Sequence, residues 1–512
     1  MNKRFVIGLD IGTSGAKGVL IDEFGAVVSA ASSDYPLSTP LPSWVEQNPE
    51  DWWNATINIC KKLSATEGVA SGDIVGIGIS GQMHSLVALD ANKNVLRPSI
   101  LWSDTRTEAE CVWLKKNIGI ENLKKFVANP ALEGFTLPKL LWTRNHEGKI
   151  FDRIAHILLP KDYIRFRLTG ELATDVSDAA GTLMFDVRQR RWSDEMLKRC
   201  SISPELLPHV YESTAVAGAV SREAAAATGL PERTPVVAGG ADNGCGAIGA
   251  GVTEKGRAFA SIGTSGVVFA HSDKPVVDDQ LRAHTFCSCV PLKWYAMGVM
   301  LMAGGALRWY RDTFCMLEVN SAKAHGIDPY DLLSAAARTI PAGSEGLFFQ
   351  PYLAGERTPH QSASARAAFV GATIRHTKDH FTRAVFEGIT FGMKDSLEII
   401  RSMGIGVNEI RLSGGGAKSK FWRQLQADIY GVEVMTVNTR EGPAFGAALL
   451  AAVGTGIYAS IAEAVGQTVR IDDRISPNPD NAKKYTDFYQ VYKEIYPALE
   501  VVETKIHAMN KG

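Results

Sequence analysis

Ile11-Gly12-Thr13-Ser14-Gly15 recurs, about half a chain later, as Ile262-Gly263-Thr264-Ser265-Gly266. Each copy follows a short apolar run, Phe5 to Leu9 and Ala258 to Ala260. Each leads into another β-prone run, Gly18-Val19-Leu20-Ile21 and Val267-Val268-Phe269. Both read as strand, tight turn, strand. Such a turn presents backbone N–H groups and hydroxyls on a concave surface, and its glycines carry no Cβ to block close approach. That is a cradle for phosphate. Hairpin turns in general use the same residue types, but two five-residue copies in matching contexts favour cradles. They predict two related α/β halves facing each other across a nucleotide.

The copies differ in the residue before the shared phrase, Asp10 in the first and Ser261 in the second. A carboxylate beside a polyphosphate repels it unless a divalent cation stands between them. Mg²⁺ prefers oxygen ligands and usually keeps several waters. The expectation is that Asp10 orients a hydrated Mg²⁺ and that the second cradle has no metal of its own.

The 512 residues suggest two large domains or three modest ones. A hydrophobic fraction of 45% with 21% charged residues is that of a soluble globular protein. The net charge of −1 supplies no basic field for nucleic acid or an anionic membrane. Met1-Asn2-Lys3-Arg4 is basic, but the apolar run behind it breaks at Asp10, too soon for a secretory leader. No apolar run is long enough to span a membrane. Seven cysteines, an odd number, fit a reducing compartment, and the cytoplasm is the expected location. Cys287 and Cys289 have no second ligand pair nearby and read as buried thiols rather than a zinc site.

Strands are expected at 5–9, 17–22 and 26–31, and a helix from Trp44 to Lys62. Gly76 to Ser80 reads as a buried strand ending in the loop Gly81-Gln82-Met83-His84. Helical patterns fill 107–117 and 136–146, and Pro235 to Gly240 reads as a strand that stops at Asp242. The small-residue stretch Asn243 to Gly251 reads as a tightly packed connection. The domain boundary is placed there, giving 1–245 and 246–512. The second half alternates again: strands near 259–269, 294–299 and 409–413, helices near 301–314, 380–401, 419–430, 443–453 and 480–508.

Several groups can carry chemistry. Asp242 stands at the C-terminal end of a strand, where α/β sheets bind ligands. There it reads as a general base for a hydroxyl attacking a γ-phosphate, or as a helix N-cap. Ser413 to Ala417, with Gly414, Gly415 and Gly416, reads as an adenine and ribose shelf before a helix starting near Ser419. Gly304-Gly305 is either an adenosine-side contact or a site of close helix packing. His84, neutral, both donates and accepts, which suits a sugar hydroxyl. Asp104 and Arg106 read best as a structural pair. Lys17 reaches toward the γ-phosphate or lies solvated on its strand.

With these residues in view, the chain resembles the FGGY carbohydrate kinases over nearly its whole length. The resemblance rests on Gly8 to Ser14, Ser80 to His84, Gly134 to Trp142, Asp175 to Thr182, Gly239 to Asn243, Gly263 to Gly266, Tyr352 to Pro359 and Gly414 to Trp422. It implies an actin-like, ribonuclease-H-like fold: two duplicated α/β domains around a central cleft. It implies ATP and Mg²⁺, a sugar acceptor expected to be D-xylulose, and a homodimer as in similar enzymes. Asp242 matches the catalytic base, and Met83 and His84 the sugar contacts, with Asn243 beside them. Asp10 matches the metal-side carboxylate. Thr13, Thr264, Gly415 and Ser419 match nucleotide contacts, and Gly12, Ser14, Lys17, Gly263, Gly304, Gly305 and Gly416 are grouped with them. Glycerol kinases carry Arg-Glu where this chain has Met83-His84, which argues against glycerol. Ala241 replaces a glycine frequent in relatives, a minor departure. The alternatives are another ketose or polyol, such as ribulose, and a non-metabolic actin-like ATPase.

Overall fold

In the computed structural model, which describes residues 3–439 and 441–509, two seven-stranded sheets carry the chain. Met1 and Asn2 of the basic N-terminus lie outside the described residues. The first sheet contains β1 (Phe5–Ile11), β2 (Gly15–Asp22), β3 (Val27–Asp34), β4 (Ile74–Gly81), β5 (Val216–Ala219), β6 (Pro235–Val237) and β7 (Gly240–Ala241). Its order is β5-β6-β4-β1-β2-β3, with β7 also pairing β4. The second contains β8 (Gly256–Ile262), β9 (Gly266–Ser272), β10 (His284–Cys287), β11 (Trp294–Met300), β12 (Val407–Gly414), β13 (Glu433–Val437) and β14 (Ile471–Ile475), in the order β10-β11-β9-β8-β12-β13-β14.

The two sheets repeat one register. β1 pairs antiparallel with β2 and parallel with β4, so Asp10 sits between Lys17 and Ser80. β8 pairs antiparallel with β9 and parallel with β12, so Ser261 sits between Val267 and Ser413. The repeated phrase therefore marks the same hairpin in each sheet.

The apolar run of β1 is buried on both faces. Phe5, Ile7, Leu9 and Ile11 pack with Trp52, Ile59 and Leu63 of helix α1 (Pro49–Ser64). This helix begins at Pro49 rather than at Trp44. Asn48 caps it by accepting from the Glu50 N–H at 3.1 Å, and proline is favoured in the first turn. The preceding Glu46–Gln47 pairs instead as a strand with Ser99–Ile100. The stretch from Asn243, read as a connection, belongs to helix α2 (Asp242–Gly249).

In the second lobe, helix α3 (Gly304–Phe314) follows β11, and helices α4 (Lys378–Ser402) and α5 (Lys420–Tyr430) flank β12. Ala258, Ala260, Ile262 and Val268 pack with Ile389, Leu397 and Trp422 from those two helices. The opposite face of the second sheet is shared with the first lobe. Phe259, Phe269 and Tyr295 join Phe135, Leu137 and Leu183 in one core.

Helix α6 (Gly442–Gly454) crosses between lobes. It follows the second sheet's β13 in sequence, yet Ala444, Ala447, Ala448 and Ala451 pack with Val6, Val19 and Ile21 of the first sheet. A cut at 245/246 falls inside α2, and α6 covers the sheet that precedes that cut. A Cβ on Gly78 would stand 1.9 Å from the Ala447 carbonyl oxygen, and one on Gly8 would stand 1.9 Å from that of Ala444. Overpacking costs about 1–3 kcal/mol, more where backbone is struck. We expect Gly78→Ala to lower unfolding free energy by at least ~2 kcal/mol in urea titration. Gly148→Ala, where a Cβ meets nothing within 4 Å, should stay close to wild type.

Candidate active site

The first turn is held from behind. The Gly12 N–H donates to the Gly15 carbonyl at 3.1 Å, and the Tyr35 hydroxyl donates to the Gly12 carbonyl at 2.5 Å. The Thr13 hydroxyl accepts from Trp102 Nε1 at 3.0 Å, and its carbonyl accepts from Gln47 Nε2 at 2.7 Å. Ser14 at the tip is exposed. Trp102 comes from the polar cluster after Ile100, where Asp104 and Arg106 do pair, at 2.6 Å. Lys17 forms an ion pair with Glu441, just before α6. Its ammonium therefore already has a carboxylate partner.

The second turn exposes Gly263 and Thr264. The N–H groups of Gly304 and Gly305, at the start of α3, donate to the carbonyls of Gly263 (2.9 Å) and Thr264 (3.0 Å). These two glycines thus buttress the turn, and their N–H groups are engaged by it. Gly415 is exposed and Gly416 buried in the turn after β12. Ser419 caps α5, accepting from the Trp422 N–H at 3.3 Å, and its hydroxyl lies 3.0 Å from that of Ser334.

Asp242 opens α2, but Ala241 occupies the cap position, so the carboxylate is not a helix cap. Its Oδ1 accepts from the Asn243 N–H at 2.6 Å and from Asn243 Nδ2 at 2.9 Å. Burial, and after it the Asp10 carboxylate, push its pKa up to about 7 against the Asn243 hydrogen bonds. Asp10 is itself raised to about 6 by burial, opposed by Ser80 and Lys17. Its buried Oδ1 has no hydrogen-bond partner among the described residues. Two neighbouring acids, one with an unpartnered buried oxygen, fit a site that receives a hydrated cation between them.

Asn243 Nδ2 also lies 3.9 Å from Met83 Sδ. The adjacent His84 places Nδ1 2.5 Å from the Gly181 carbonyl. A carbonyl only accepts, so the proton is on Nδ1 and Nε2 is left as an acceptor. Burial pushes the His84 pKa down to about 3, which keeps the ring neutral. Phe135 walls it, with ring centroids 4.8 Å apart. Asp10, Asp242, Asn243, Met83 and His84 thus form one constellation.

Family models described as the FGGY family of carbohydrate kinases match residues 5–249 (N-terminal domain) and 258–455 (C-terminal domain). The chain belongs to the FGGY family of carbohydrate kinases. The kinase is 41% identical over 509 residues to a xylulose kinase of Bacillus subtilis, covering 99% of this chain and 100% of that one. It is 40% identical over 494 residues to a xylulose kinase of Escherichia coli, covering 96% and 99%. Among solved structures it superposes on a kinase from Brucella ovis with TM-score 0.90 and 36% identity, covering 98% of this chain and all of that one. A ligand-bound xylulose kinase from Lactobacillus acidophilus gives TM-score 0.92 at 30% identity, with the same coverage. Its fold is that of the actin-like ATPases, and ATP is the cosubstrate its family implies.

One part of the kinase's site was not legible as chemistry. The Ala241 N–H, just before Asp242, donates to Ser177 Oγ at 2.9 Å, and Ser177 Oγ donates to Asp175 Oδ2 at 2.6 Å. Asp175 in turn pairs with Lys161 at 2.9 Å, which also holds Asp162 at 2.6 Å. All three charged side chains are fully buried. In the sequence, Asp175 to Thr182 signalled only a family motif.

Asp242 must lose its proton to act as a base. We expect kcat/KM for the acceptor to fall below about pH 7 as Asp242 becomes protonated. Asp10→Asn removes the charge that raises Asp242, so the acid limb of the variant should move to lower pH. An acid limb that stays in place in Asp10→Asn would dissociate the two carboxylates.

Proposed function

We propose that this kinase phosphorylates the terminal 5-hydroxyl of D-xylulose, using Mg·ATP and giving D-xylulose 5-phosphate and ADP. The observation that carries the reading is the meeting of Asp242, Asn243, Met83 and His84 beside Asp10. The full-length similarity to xylulose kinases gives the acceptor.

The 5-hydroxyl is the oxygen that closes the furanose ring of xylulose, so the open-chain ketose reacts. Asp242 takes the hydroxyl proton. The oxygen forms its bond to the γ-phosphorus as the bond to the β–γ bridging oxygen breaks, and ADP leaves with that electron pair. His84 Nε2 and Asn243 hold neighbouring sugar hydroxyls. Gly12, Thr13 and Ser14 receive the phosphates from the first lobe, and Gly263 and Thr264 receive them from the second. Gly304 and Gly305 hold the second turn in shape. Gly415, Gly416 and Ser419 form the ledge for the adenosine. Lys17, tied to Glu441, stands at the phosphate side of Asp10. Asp10 would hold hydrated Mg²⁺, which neutralises charge on the transferred phosphoryl group.

A coupled ADP-release assay across D-xylulose, D-ribulose, L-ribulose, glycerol and gluconate tests the acceptor. D-xylulose should give the highest kcat/KM, by at least about tenfold. A different leader reassigns the substrate, and turnover indifferent to every sugar removes the kinase reading. Asp242→Ala should lower kcat ~10²–10⁴-fold while calorimetry still detects ADP binding. Near-normal turnover in that variant excludes Asp242 as the base.

A further inference from the structure

The segment Tyr352 to Pro359 resembles its family but has no part in the constellation above. Its backbone is pinned. Glu356 and Ser362 exchange two backbone hydrogen bonds of 2.8 Å. Glu356 Oε1 accepts from the N–H groups of Leu301 (3.0 Å) and Arg357 (2.7 Å). The Thr358 N–H donates to the Val299 carbonyl at 3.1 Å, and the Val299 N–H donates to Thr358 Oγ1 at 3.1 Å. The Thr358 hydroxyl donates to the Arg282 carbonyl at 3.0 Å. Arg357 is thereby fixed to the end of β11, in the second lobe.

Its guanidinium is unlike its backbone. Among the described residues it has no hydrogen-bond acceptor, and no carboxylate lies within 4.0 Å. Nη2 stands 3.7 Å from where a Cβ on Gly134 would be, and Gly134 precedes the Phe135 that walls His84. The positive charge of Arg357 acts on His84, His284 and Lys139, and Arg357 in turn feels the carboxylates of Glu133 and Glu356. Arg357 therefore lies against the Gly134–Phe135 segment that walls His84. Lys139, the other cation there, already donates to the carbonyls of Glu133, Gly134 and Phe135. The Arg357 donors remain for a ligand. A half-buried guanidinium gains from acceptors that a ligand supplies, because unmet donors are costly there.

We propose that Arg357 is a sugar-binding residue contributed by the second lobe, donating to oxygens at the end of the acceptor remote from the phosphorylated hydroxyl. A guanidinium only donates, which suits a carbonyl oxygen and the hydroxyl beside it. In an open-chain ketose those oxygens lie at the unphosphorylated end. The acceptor then draws on both lobes, with Asp242 of the first lobe at its reacting end and Arg357 of the second lobe at its His84 end.

This rests on the sugar-kinase reading of the same cleft, and the experiment separates the two. Full-length Arg357→Met and Arg357→Lys are assayed with whichever panel sugar is the best acceptor of the wild type. A wrong substrate then shows in the wild-type panel, and a wrong Arg357 shows in the variants. Arg357→Met should raise KM for the acceptor about ten- to a hundredfold, with Arg357→Lys between it and wild type. The ADP dissociation constant and melting temperature should stay near wild type. Acceptor KM values within about threefold of wild type in both variants overturn the proposal. So does a loss of ADP binding and melting temperature in step with KM, which marks a structural role.

Discussion

The approach of α6 to the first sheet is the contact on which the rest depends. The Gly442–Gly454 helix carries alanines and glycines along its length, and the strands beneath it carry Gly8 and Gly78 where the helix carbonyls come down. With no Cβ between them, helix and sheet pack at backbone distance, and dispersion contacts fill the interface. Because α6 lies between β13 and β14 of the second sheet in sequence, this contact ties the two sheets together. It also sets Glu441 beside Lys17, the β2 residue paired with Asp10. The alternation of β1 does the rest. Val6 and Gly8 share a face with Asp10, so the row that meets the helix ends at the carboxylate.

Electrostatics then prepare the cleft. Asp10 and Asp242 are both pushed up by burial, and Asp242 also by its neighbour. Two acids that repel one another across a partly dry site are unfavourable until a cation arrives. Behind Asp242 the Ser177–Asp175–Lys161 chain fixes the peptide that carries it, through groups that never meet solvent. Rigid backing of this kind holds the Asp242 backbone in one place.

The lobes also share a core. Phe259, Phe269 and Tyr295 of the second sheet pack in one core with Phe135 and Leu183 from the first lobe. The His84 wall of the pocket stands on that shared core, with Phe286 of the second lobe 6.1 Å from the His84 ring. The surroundings of His84 therefore draw on both halves of the chain.

The sequence by itself determined the twin hairpins, because a strand–glycine turn–strand is encoded locally by residue type and spacing. It likewise determined the acid that follows β7 and the Met83-His84 pair after β4, since the ends of strands are where such sheets place ligands. It misjudged Trp44 to Asn48, where helical spacing was overridden by the cap at Asn48 and pairing with Ser99–Ile100. It left open whether Asp242 caps a helix, and Gly304-Gly305 could be read either way. Only the tertiary structure decided those, along with the crossing of α6, the Lys17–Glu441 pair and the buried Lys161 chain. Each of them joins residues far apart in sequence. Their partners are set by how closely two backbones approach and by which charges are left without water, and neither is written in the spacing of residues along one segment.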